Sequence, residues 1–346
     1  MLGNIKQTSI QSIISGSELR ELKHTIAQGQ WHPFCSTCQR DETDAGISAR
    51  TGKVSTVLPA TVERIDQSIE SFELTDLTIN WTNLCNLTCT YCNPETSTAW
   101  QQVLKLPITQ VRNDQSGLIE LARSNRATLR GLTLGGGEPL LQRGLREFLQ
   151  EIDPEQVSVM ITTNLSMDLT RNAIYQLLKQ WPQVTWMISF DNARADRFEY
   201  VRRGSSWSQF VANIEQLQQD QQRVLAHPAY SVYSALDLEH YYEFCCGHNL
   251  PIYWCDLLHP AALDARRLPL EFRQLAHAEI GRILELYAGR EDLSLDILAR
   301  YQQQLAPDWL AQQADRPSQS VQAWHLEQEQ LQPWHHTFQD LWPEYQ

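Results

Sequence analysis

Three cysteines, Cys85, Cys89 and Cys92, lie close together with the spacing CxxxCxxC. A single buried cysteine is usually a small apolar core residue. Three thiols from one loop instead indicate a metal site, because thiolates are soft metal ligands. Structural zinc takes four protein ligands, often as two separated pairs. Three cysteines leave one iron of a cubane open, so the spacing favours an iron–sulfur cluster over zinc.

The cysteine loop follows a predicted strand, and strands and helices then alternate along the chain. Short apolar runs with β-branched residues predict the strands, and segments with helical periodicity separate them. Six such repeats predict an α/β fold, a partial (β/α)6 TIM-like barrel with a parallel sheet. The predicted strands lie at 74–81, 129–134, 157–164, 184–191, 230–236 and 250–258.

Polar residues collect at the carboxyl ends of these strands, which is where α/β barrels build their sites. The second strand is followed by the turn Gly135–Pro139, with the sequence GGGEP, and the third ends at Asn164. The fourth closes on Ser189 and Asp191, and the sixth carries Cys255. Each of these fits a plain turn, a helix cap or a solvated charge when taken alone. Their common position beside the cysteine loop predicts one functional site.

With these motifs identified, the segment from Leu74 to His259 resembles the radical S-adenosylmethionine superfamily. The resemblance rests on the CxxxCxxC loop, with Tyr91 before its last cysteine, and on GGEP at Gly136–Pro139. It implies that the three thiolates hold a [4Fe–4S] cluster whose fourth iron binds the amine and carboxylate of S-adenosylmethionine. One-electron reduction then gives a 5′-deoxyadenosyl radical, which abstracts a hydrogen atom from a substrate.

The resemblance also implies which residues bind the methionine part of S-adenosylmethionine. Gly136, Gly137 and Glu138 receive the amine, and Arg202 meets the carboxylate, with Arg203 as the competing choice. Elementary chemistry agrees with these roles, because a carboxylate suits a cationic amine and a guanidinium suits a carboxylate.

Four further residues are implied on the nucleoside side of the same cofactor. Ser189 and Asp191 bind the ribose region, and Asn164 lines the pocket beside it. Tyr91 packs on the cluster and offers its backbone to the adenine. Because an alkyl radical attacks almost any nearby C–H bond, these residues act by positioning and by excluding water.

A second cysteine pair, Cys35 and Cys38, lies in the stretch WHPFCSTC. It fits a zinc knuckle, two reduced cysteines or an auxiliary iron–sulfur cluster, whereas no βαβ unit supports a redox pair. The stretch resembles the N-terminal CxxC segment of twitch-type radical enzymes, relatives of the SPASM group, which implies an auxiliary cluster. Its expected third ligand is Cys255, and Cys246 or Cys245 competes with an open iron as the fourth.

The chain is expected to divide into three parts around the barrel. Residues 1–72 form the N-terminal segment with the CxxC pair, 73–260 the barrel, and 261–346 a helical extension. Apolar residues recur three and four positions apart in the extension, which resembles, more weakly, the helical tail of twitch-type proteins. His335 and His336 are adjacent and point to different faces of a helix, so a metal site is not expected there.

The composition narrows the partners and the compartment. The 346 residues carry 28 Lys and Arg against 41 Asp and Glu, a formal charge of −13. Such a chain repels phosphate backbones, so no nucleic acid is expected as partner. An apolar run of about 18 residues, as a membrane span requires, does not occur. No signal-peptide core occurs either, so a cytoplasmic protein is predicted, and eight cysteines there favour metal binding over disulfides.

Together these features predict a radical enzyme that modifies a ribosomally made peptide, since the auxiliary-cluster architecture is common among peptide maturases. The same chemistry on a sugar, nucleoside or amino-acid metabolite is the alternative. A non-enzymatic zinc or iron–sulfur scaffold or sensor is the alternative of another class. An electron donor such as flavodoxin or ferredoxin is the implied protein partner.

Overall fold

A parallel sheet forms the centre of the molecule. The structure is a computed structural model that describes residues 2–4, 7–45, 72–110, 115–257, 260–306 and 320–345. The five strands stand side by side in chain order, as successive βαβ units require. They are β1 (Asp76–Asn80), β2 (Gly131–Gly135), β3 (Ser158–Thr163), β4 (Val184–Ile188) and β5 (Arg223–Ala226).

The barrel wall continues beyond β5 in short pieces. Ala226 forms a parallel bridge with Ile252. Next to it, β6 (Ala229–Tyr230) pairs in parallel with β7 (Cys255–Asp256). The sixth strand is therefore present where it was expected, although it is short, and the predicted α/β class with a parallel sheet is confirmed.

The fifth strand is not where the sequence pattern predicted it. The prediction at 230–236 is wrong, because the strand is β5 and the chain turns after Tyr230. The Ser234 hydroxyl accepts a hydrogen bond from the Ser231 amide, and the Ser231 hydroxyl accepts one from Tyr233. Such local side-chain bonds satisfy backbone amides that a strand would use for pairing.

Helices connect the strands, and further helices precede and follow the barrel. No helix within the described residues is both long and apolar enough to cross a membrane. In chain order the helices are α1 (Ile10–Ile14), α2 (Ser17–Ala27), α3 (Ser36–Ala45), α4 (Thr98–Val103), α5 (Gln115–Ser124), α6 (Arg143–Leu149), α7 (Ala173–Leu178), α8 (Ala195–Val201), α9 (Trp207–Gln219), α10 (Leu238–Gly247), α11 (Leu270–Leu286), α12 (Leu295–Gln304), α13 (Val321–Leu331) and α14 (Phe338–Leu341).

The core lies between the sheet and these helices. Ile161 of β3 and Trp186 of β4 are fully buried, as are Phe148 of α6 and Tyr175 of α7. The rings of Tyr175 and Trp186 lie 5.3 Å apart, centre to centre. Burying one large apolar side chain contributes about 1.5–3 kcal/mol to stability. The packing therefore fixes the strand ends from which the site is built.

The C-terminal helices pack onto the barrel. Tyr345 donates a hydrogen bond to the carbonyl of Val232 at 2.8 Å, and His325 stacks on Phe338 with ring centres 3.9 Å apart. The helices expected in this region are present in its described parts. His335 and His336 lie in the bend between α13 and α14 rather than on a helix. At the other end, residues 46–71, which adjoin the predicted boundary at 72, lie outside the described residues.

Candidate active site

The loop that carries the three cysteines is held first by the GGGEP turn. Gly137 N donates to Thr82 O at 2.7 Å, and Glu138 N donates to Leu84 O at 2.8 Å. A Cβ on Gly137 would collide with the main chain of Leu84, and Gly136 has a φ of +121°. Glycine is thus required here so that the turn can approach the main chain of the cysteine loop.

A second set of main-chain bonds holds the loop from the opposite side. Thr88 N donates to Arg203 O at 3.0 Å, and Thr90 N donates to Val201 O at 2.9 Å. The indole of Trp100 in α4 adds a hydrogen bond to Cys89 O at 3.0 Å. The loop is therefore fixed between the turn after β2, the end of α8 and the start of α4.

The three thiols occupy different environments on this loop. Burial raises the pKa of Cys85 to about 11, although its sulfur accepts a hydrogen bond from Leu87 N. Cys89 and Cys92 share a hydrogen bond, which with burial raises the pKa of Cys89 and which lowers the pKa of Cys92. The positive charge of Arg202 stabilises both thiolates. It opposes the rise in the pKa of Cys89 and adds to the fall in the pKa of Cys92.

The three thiols supply the donor set of an iron–sulfur cluster with one open iron, because a cubane takes one thiolate on each of three irons and leaves the fourth free. Cys85 and Cys92 are partly exposed, Cys89 is buried, and all three come from one braced loop. These residues fit a [4Fe–4S] cluster with an open iron.

Beside the thiols lies a buried group made of Arg202, Asp191 and Tyr91. Arg202 Nη2 donates to Asp191 Oδ2 at 2.9 Å, and the Tyr91 hydroxyl donates to the same oxygen at 2.9 Å. The guanidinium lies 5.6 Å from the centre of the Tyr91 ring. Arg202 Nε is buried and has no hydrogen-bond partner. The group therefore presents a free cationic N–H donor, which suits a carboxylate.

Arg203, the competing choice in the sequence, faces elsewhere. Its side chain is fully buried, and Nη1 donates to the carbonyls of Gln332 at 3.0 Å and Gln328 at 3.4 Å. It also lies over the ring of Tyr200, 4.8 Å from its centre. Arg203 is thus bonded to the end of α13, whereas Arg202 faces the cysteines.

Glu138 is fully buried and joins two strand ends. Its Oε1 accepts hydrogen bonds from Leu140 N at 3.0 Å and Thr163 Oγ1 at 2.8 Å, and its Oε2 accepts one from Asn164 N at 2.8 Å. Burial raises the pKa of Glu138, and these bonds oppose that shift. The Glu138 carboxylate thus binds mainly to groups of the protein itself. A bound amine can donate only to the lone pairs that Glu138 still has free and to the carbonyls of the turn.

The residues predicted to bind the nucleoside fall into two environments. Asn164 Nδ2 lies 3.8 Å from Cys85 Sγ, so its side chain reaches the cysteines. Asp191 was predicted to bind the ribose, but in the structure it accepts hydrogen bonds from Arg202 and Tyr91. Its Oδ1 also accepts one from Ala229 N at 2.9 Å. Ser189 follows β4 at the same edge and is partly exposed.

Two residues at this edge stand out in the structure, His227 and Cys255. Cys255 donates to Pro228 O at 3.4 Å, and burial raises the pKa of its thiol to about 12. Burial lowers the pKa of His227, whose Nδ1 lies 2.8 Å from Tyr253 O. The charges of Asp191 and Arg202 act on both. No sequence pattern pointed to His227, because it is a lone histidine that follows a strand that was not predicted.

The second cysteine group is not assembled in the structure. Cys35 ends a short 3-10 turn and Cys38 lies in α3, and they form no metal-holding group with Cys255. Cys245 is fully buried in α10, and Cys246 lies on α10 beside Tyr287 and Arg290. The auxiliary ligand set stays a prediction.

A comparison with protein families finds a match for this chain. Residues 79–244 match the family described as the Radical SAM superfamily. Its cofactors are by implication a [4Fe–4S] cluster and S-adenosylmethionine. The matched segment includes the cysteine loop, the GGGEP turn and Arg202.

Curated relatives match about two fifths of the chain. They include molybdenum cofactor biosynthesis protein 1 of Drosophila melanogaster, 33% identical over 41% of this chain and 24% of its own length. GTP 3′,8-cyclases of Corynebacterium glutamicum and Listeria welshimeri are 32% and 29% identical over 40% and 41% of this chain. Those matches span 37% and 40% of the cyclases, so the chain matches less than half of each of these relatives.

Solved structures share the fold at low identity. The enzyme anSMEcpe with bound AdoMet superposes with a TM-score of 0.50 at 13% identity, over 64% of this chain and 63% of the other. SuiB of Streptococcus suis bound to its precursor peptide SuiA gives a TM-score of 0.48 at 11% identity, over 79% and 64%.

Proposed function

We propose that this protein is a radical S-adenosylmethionine enzyme. The observation that carries the proposal is the position of Arg202, whose guanidinium is bonded to Asp191 beside Tyr91 and whose buried Nε has no hydrogen-bond partner within the described residues. A buried donor without a partner costs free energy in the isolated protein, about 1–3 kcal/mol. A bound carboxylate next to the cysteines removes that cost.

Each predicted binding residue has a task in this proposal. The cluster, when bound to Cys85, Cys89 and Cys92, supplies the electron that cleaves S-adenosylmethionine. Arg202 Nε binds the methionine carboxylate, and Asp191 holds the guanidinium in the required orientation. The amine is received by the turn at Gly136 and Gly137 and by the lone pairs of Glu138 that the protein leaves free.

The nucleoside side is held by the remaining residues. Ser189 offers its hydroxyl to the ribose, Asn164 separates this pocket from Cys85, and the backbone of Tyr91 serves the adenine. Asp191 acts here through Arg202 and Tyr91, to which its Oδ2 is bonded, and its Oδ1 also accepts a hydrogen bond from Ala229 N.

For the substrate we propose a peptide. Arg266 and Arg267, which follow β7, both pair with Asp264, at 2.7 and 3.7 Å, and Arg266 also faces Asp256 at 3.5 Å. Pairing with carboxylates leaves these two arginines poorly suited to a triphosphate, whose charge needs unpaired cations. A neutral or weakly charged chain segment fits such an edge better.

A nucleotide or another small metabolite is the second candidate. It is supported by the sequence similarity to GTP 3′,8-cyclases, whose name states a nucleotide reaction. The two substrates are separated by equilibrium binding: GTP and a library of ribosomal precursor peptides are titrated onto cluster-loaded protein with S-adenosylmethionine present. Saturable GTP binding without peptide binding would contradict the peptide proposal.

The radical step is tested by product analysis under anaerobic conditions. Protein reconstituted with iron and sulfide is reduced with dithionite and incubated with S-adenosylmethionine, and 5′-deoxyadenosine is quantified. We expect formation of this product above background and transfer of deuterium from a labelled substrate into it. A fully loaded sample that forms none would identify the chain as a non-enzymatic iron–sulfur or zinc scaffold.

An auxiliary cluster bound by Cys35 and Cys38 is a separate part of the proposal. It is supported by the pair's spacing and by the location of Cys255 at the strand edge. Metal analysis decides it: a content of about four irons per chain, unchanged when Cys35 and Cys38 are both replaced by Ala, leaves a single cluster. A fall in iron content in that variant supports the auxiliary cluster.

A further inference from the structure

The proposed chemistry needs a single electron from outside the chain, and the chain is strongly acidic. Its formal charge of −13 repels an acidic redox protein over most of its surface. Such a donor therefore needs a local positive patch within reach of the cysteine loop. The inference below concerns that patch and rests on the function proposed above.

A concave patch with positive charge lies between the starts of α6 and α7. The concavity has a volume of about 270 Å³. Its floor is aliphatic, and the two arginines of α6, Arg143 and Arg146, stand at its side. The lining residues are Leu140, Leu141, Gln142, Arg143, Arg146, Ala173 and Ile174.

The charges of the two arginines are not neutralised. Both are exposed, and neither forms an ion pair with a carboxylate in the part of the chain that the structure describes. Neighbouring arginines are paired: Arg123 with Glu151 at 2.7 Å, and Arg171 with Asp168 at 3.6 Å. Glu147, the acidic residue of α6, accepts a hydrogen bond from Gln115. The patch thus keeps two free positive charges.

The patch is joined directly to the cysteine loop. Gln142, which lines the concavity, donates from Nε2 to Leu84 O at 3.0 Å, and its Oε1 accepts from Thr82 Oγ1 at 2.7 Å. Leu84 is the residue before Cys85, and Cys85 is partly exposed. One side chain therefore separates a partner seated on the patch from the main chain of the first cysteine ligand.

We propose that this patch, defined by Leu140–Arg143, Arg146, Ala173 and Ile174, is the docking surface of an acidic one-electron donor protein of the flavodoxin type. Carboxylates on the donor pair with Arg143 and Arg146, and an apolar edge of the donor fills the aliphatic floor. One electron leaves the reduced flavin, which goes from hydroquinone to semiquinone, and reduces the cluster bound at Cys85 by one electron.

The test compares two doubly charge-reversed variants. One carries Arg143→Glu and Arg146→Glu. The matched control carries Arg20→Glu and Arg223→Glu, which change exposed arginines on α2 and at the start of β5. Binding of oxidised flavodoxin to each protein is measured by calorimetry at low salt. Production of 5′-deoxyadenosine is then driven either by flavodoxin with its reductase or by dithionite. Thermal unfolding confirms that both variants fold.

We expect the patch variant to bind flavodoxin at least about tenfold more weakly, with a matching loss of flavodoxin-driven product, because complementary charges set encounter and orientation. Dithionite-driven product stays at the wild-type level, and the control variant binds normally. Normal flavodoxin binding by the patch variant overturns the proposal, as does an equal loss in the control. Absence of product with dithionite in the wild type refutes the radical enzyme itself, while the calorimetry still tests the docking surface.

Discussion

Arg202 and Asp191 form a buried ion pair of 2.9 Å, and the buried Arg202 Nε has no hydrogen-bond partner among the described residues. Tyr91 and Ala229 N complete the contacts of Asp191, so the carboxylate cannot turn away from the arginine. Breaking a buried pair by removing one partner costs about 3–5 kcal/mol. The ion pair therefore fixes the orientation of the Arg202 guanidinium. The contacts of Asp191 with Tyr91 and Ala229 N offset the free energy that burying the two charges costs.

Replacing Arg202 by Lys should raise the KM for S-adenosylmethionine. Lys keeps the positive charge but loses the planar arrangement of N–H donors. Losing one charge-assisted hydrogen bond, worth about 1.5–3 kcal/mol, corresponds to a KM about tenfold higher or more. Arg203→Lys is the matched control: its KM should stay unchanged, while limited proteolysis should detach α13 more readily. An equal rise of KM in both variants would contradict the assignment.

Cys89→Ala should abolish cluster loading and the formation of 5′-deoxyadenosine. The comparison variant is Cys245→Ala, because Cys245 is also buried but lies in the core of α10. Both variants should lose a similar free energy of unfolding in the metal-free state, about 1 kcal/mol. Iron content and product should be lost only in the first. Retention of four irons by Cys89→Ala would show that this thiol is no ligand.

Asn164→Leu should shift the reduction potential of the cluster to more negative values, by some tens of millivolts. Hydrogen bonds to the sulfur atoms stabilise the reduced cluster, and the Asn164 amide lies 3.8 Å from Cys85 Sγ. A redox titration followed by electron paramagnetic resonance measures the shift. Asn172→Leu serves as control, since the Asn172 amide donates to Leu140 O at 2.8 Å. A potential equal to the wild type would remove Asn164 from the cluster environment.

Glu279 should make folding stability depend on pH. Burial raises the pKa of Glu279 to about 7, while its Oε1 accepts hydrogen bonds from Leu238 N and Glu239 N at the start of α10. The folded state therefore holds a proton that the unfolded state releases near pH 4.5, so this contribution to stability is complete below that pH and is lost as the pH rises to about 7.

Glu279→Gln removes this titration and keeps an oxygen acceptor for both amides. Its free energy of unfolding, measured with urea, should match the wild type near pH 4.5 and exceed it by about 2–3 kcal/mol at pH 8. Glu285→Gln, at an exposed position of the same helix, should follow the wild type at both values. A constant difference between Glu279→Gln and the wild type across this range would refute the buried titration.

The sequence was sufficient to predict the class of fold and the edge on which the site lies. Parallel β–α repeats impose this arrangement, because their strand ends meet at one edge and carry the cysteine loop, the GGGEP turn and Asn164. The sequence indicated Arg202 for the carboxylate but left Arg203 as a competing choice. Both follow α8, and only the packing of α13 shows which guanidinium faces away from the cysteines.

Two other features depended on tertiary contacts as well. The strand β5 was missed because its four residues, RVLA, begin with a charge and show no clear alternation, while the later YSVYSAL is richer in β-forming residues. The glycines of the turn were attributed to a close ligand, whereas Gly136 and Gly137 first accommodate the main chain of Thr82–Leu84. Glycine is required where two backbones approach closely, just as it is where a backbone approaches a cofactor, so the sequence alone does not distinguish the two cases.

The bond between Arg203 and α13 has a consequence for the order of events during synthesis. The carbonyl of Arg203 holds Thr88 in the cysteine loop, while its guanidinium is covered by a helix made more than a hundred residues later. While the ribosome is still translating the intervening segment, the Arg203 guanidinium stays hydrated. The residue whose carbonyl holds Thr88 is then not yet fixed by α13. Maturation with iron and sulfur is then favoured after α13 has emerged from the ribosome and has packed over Arg203.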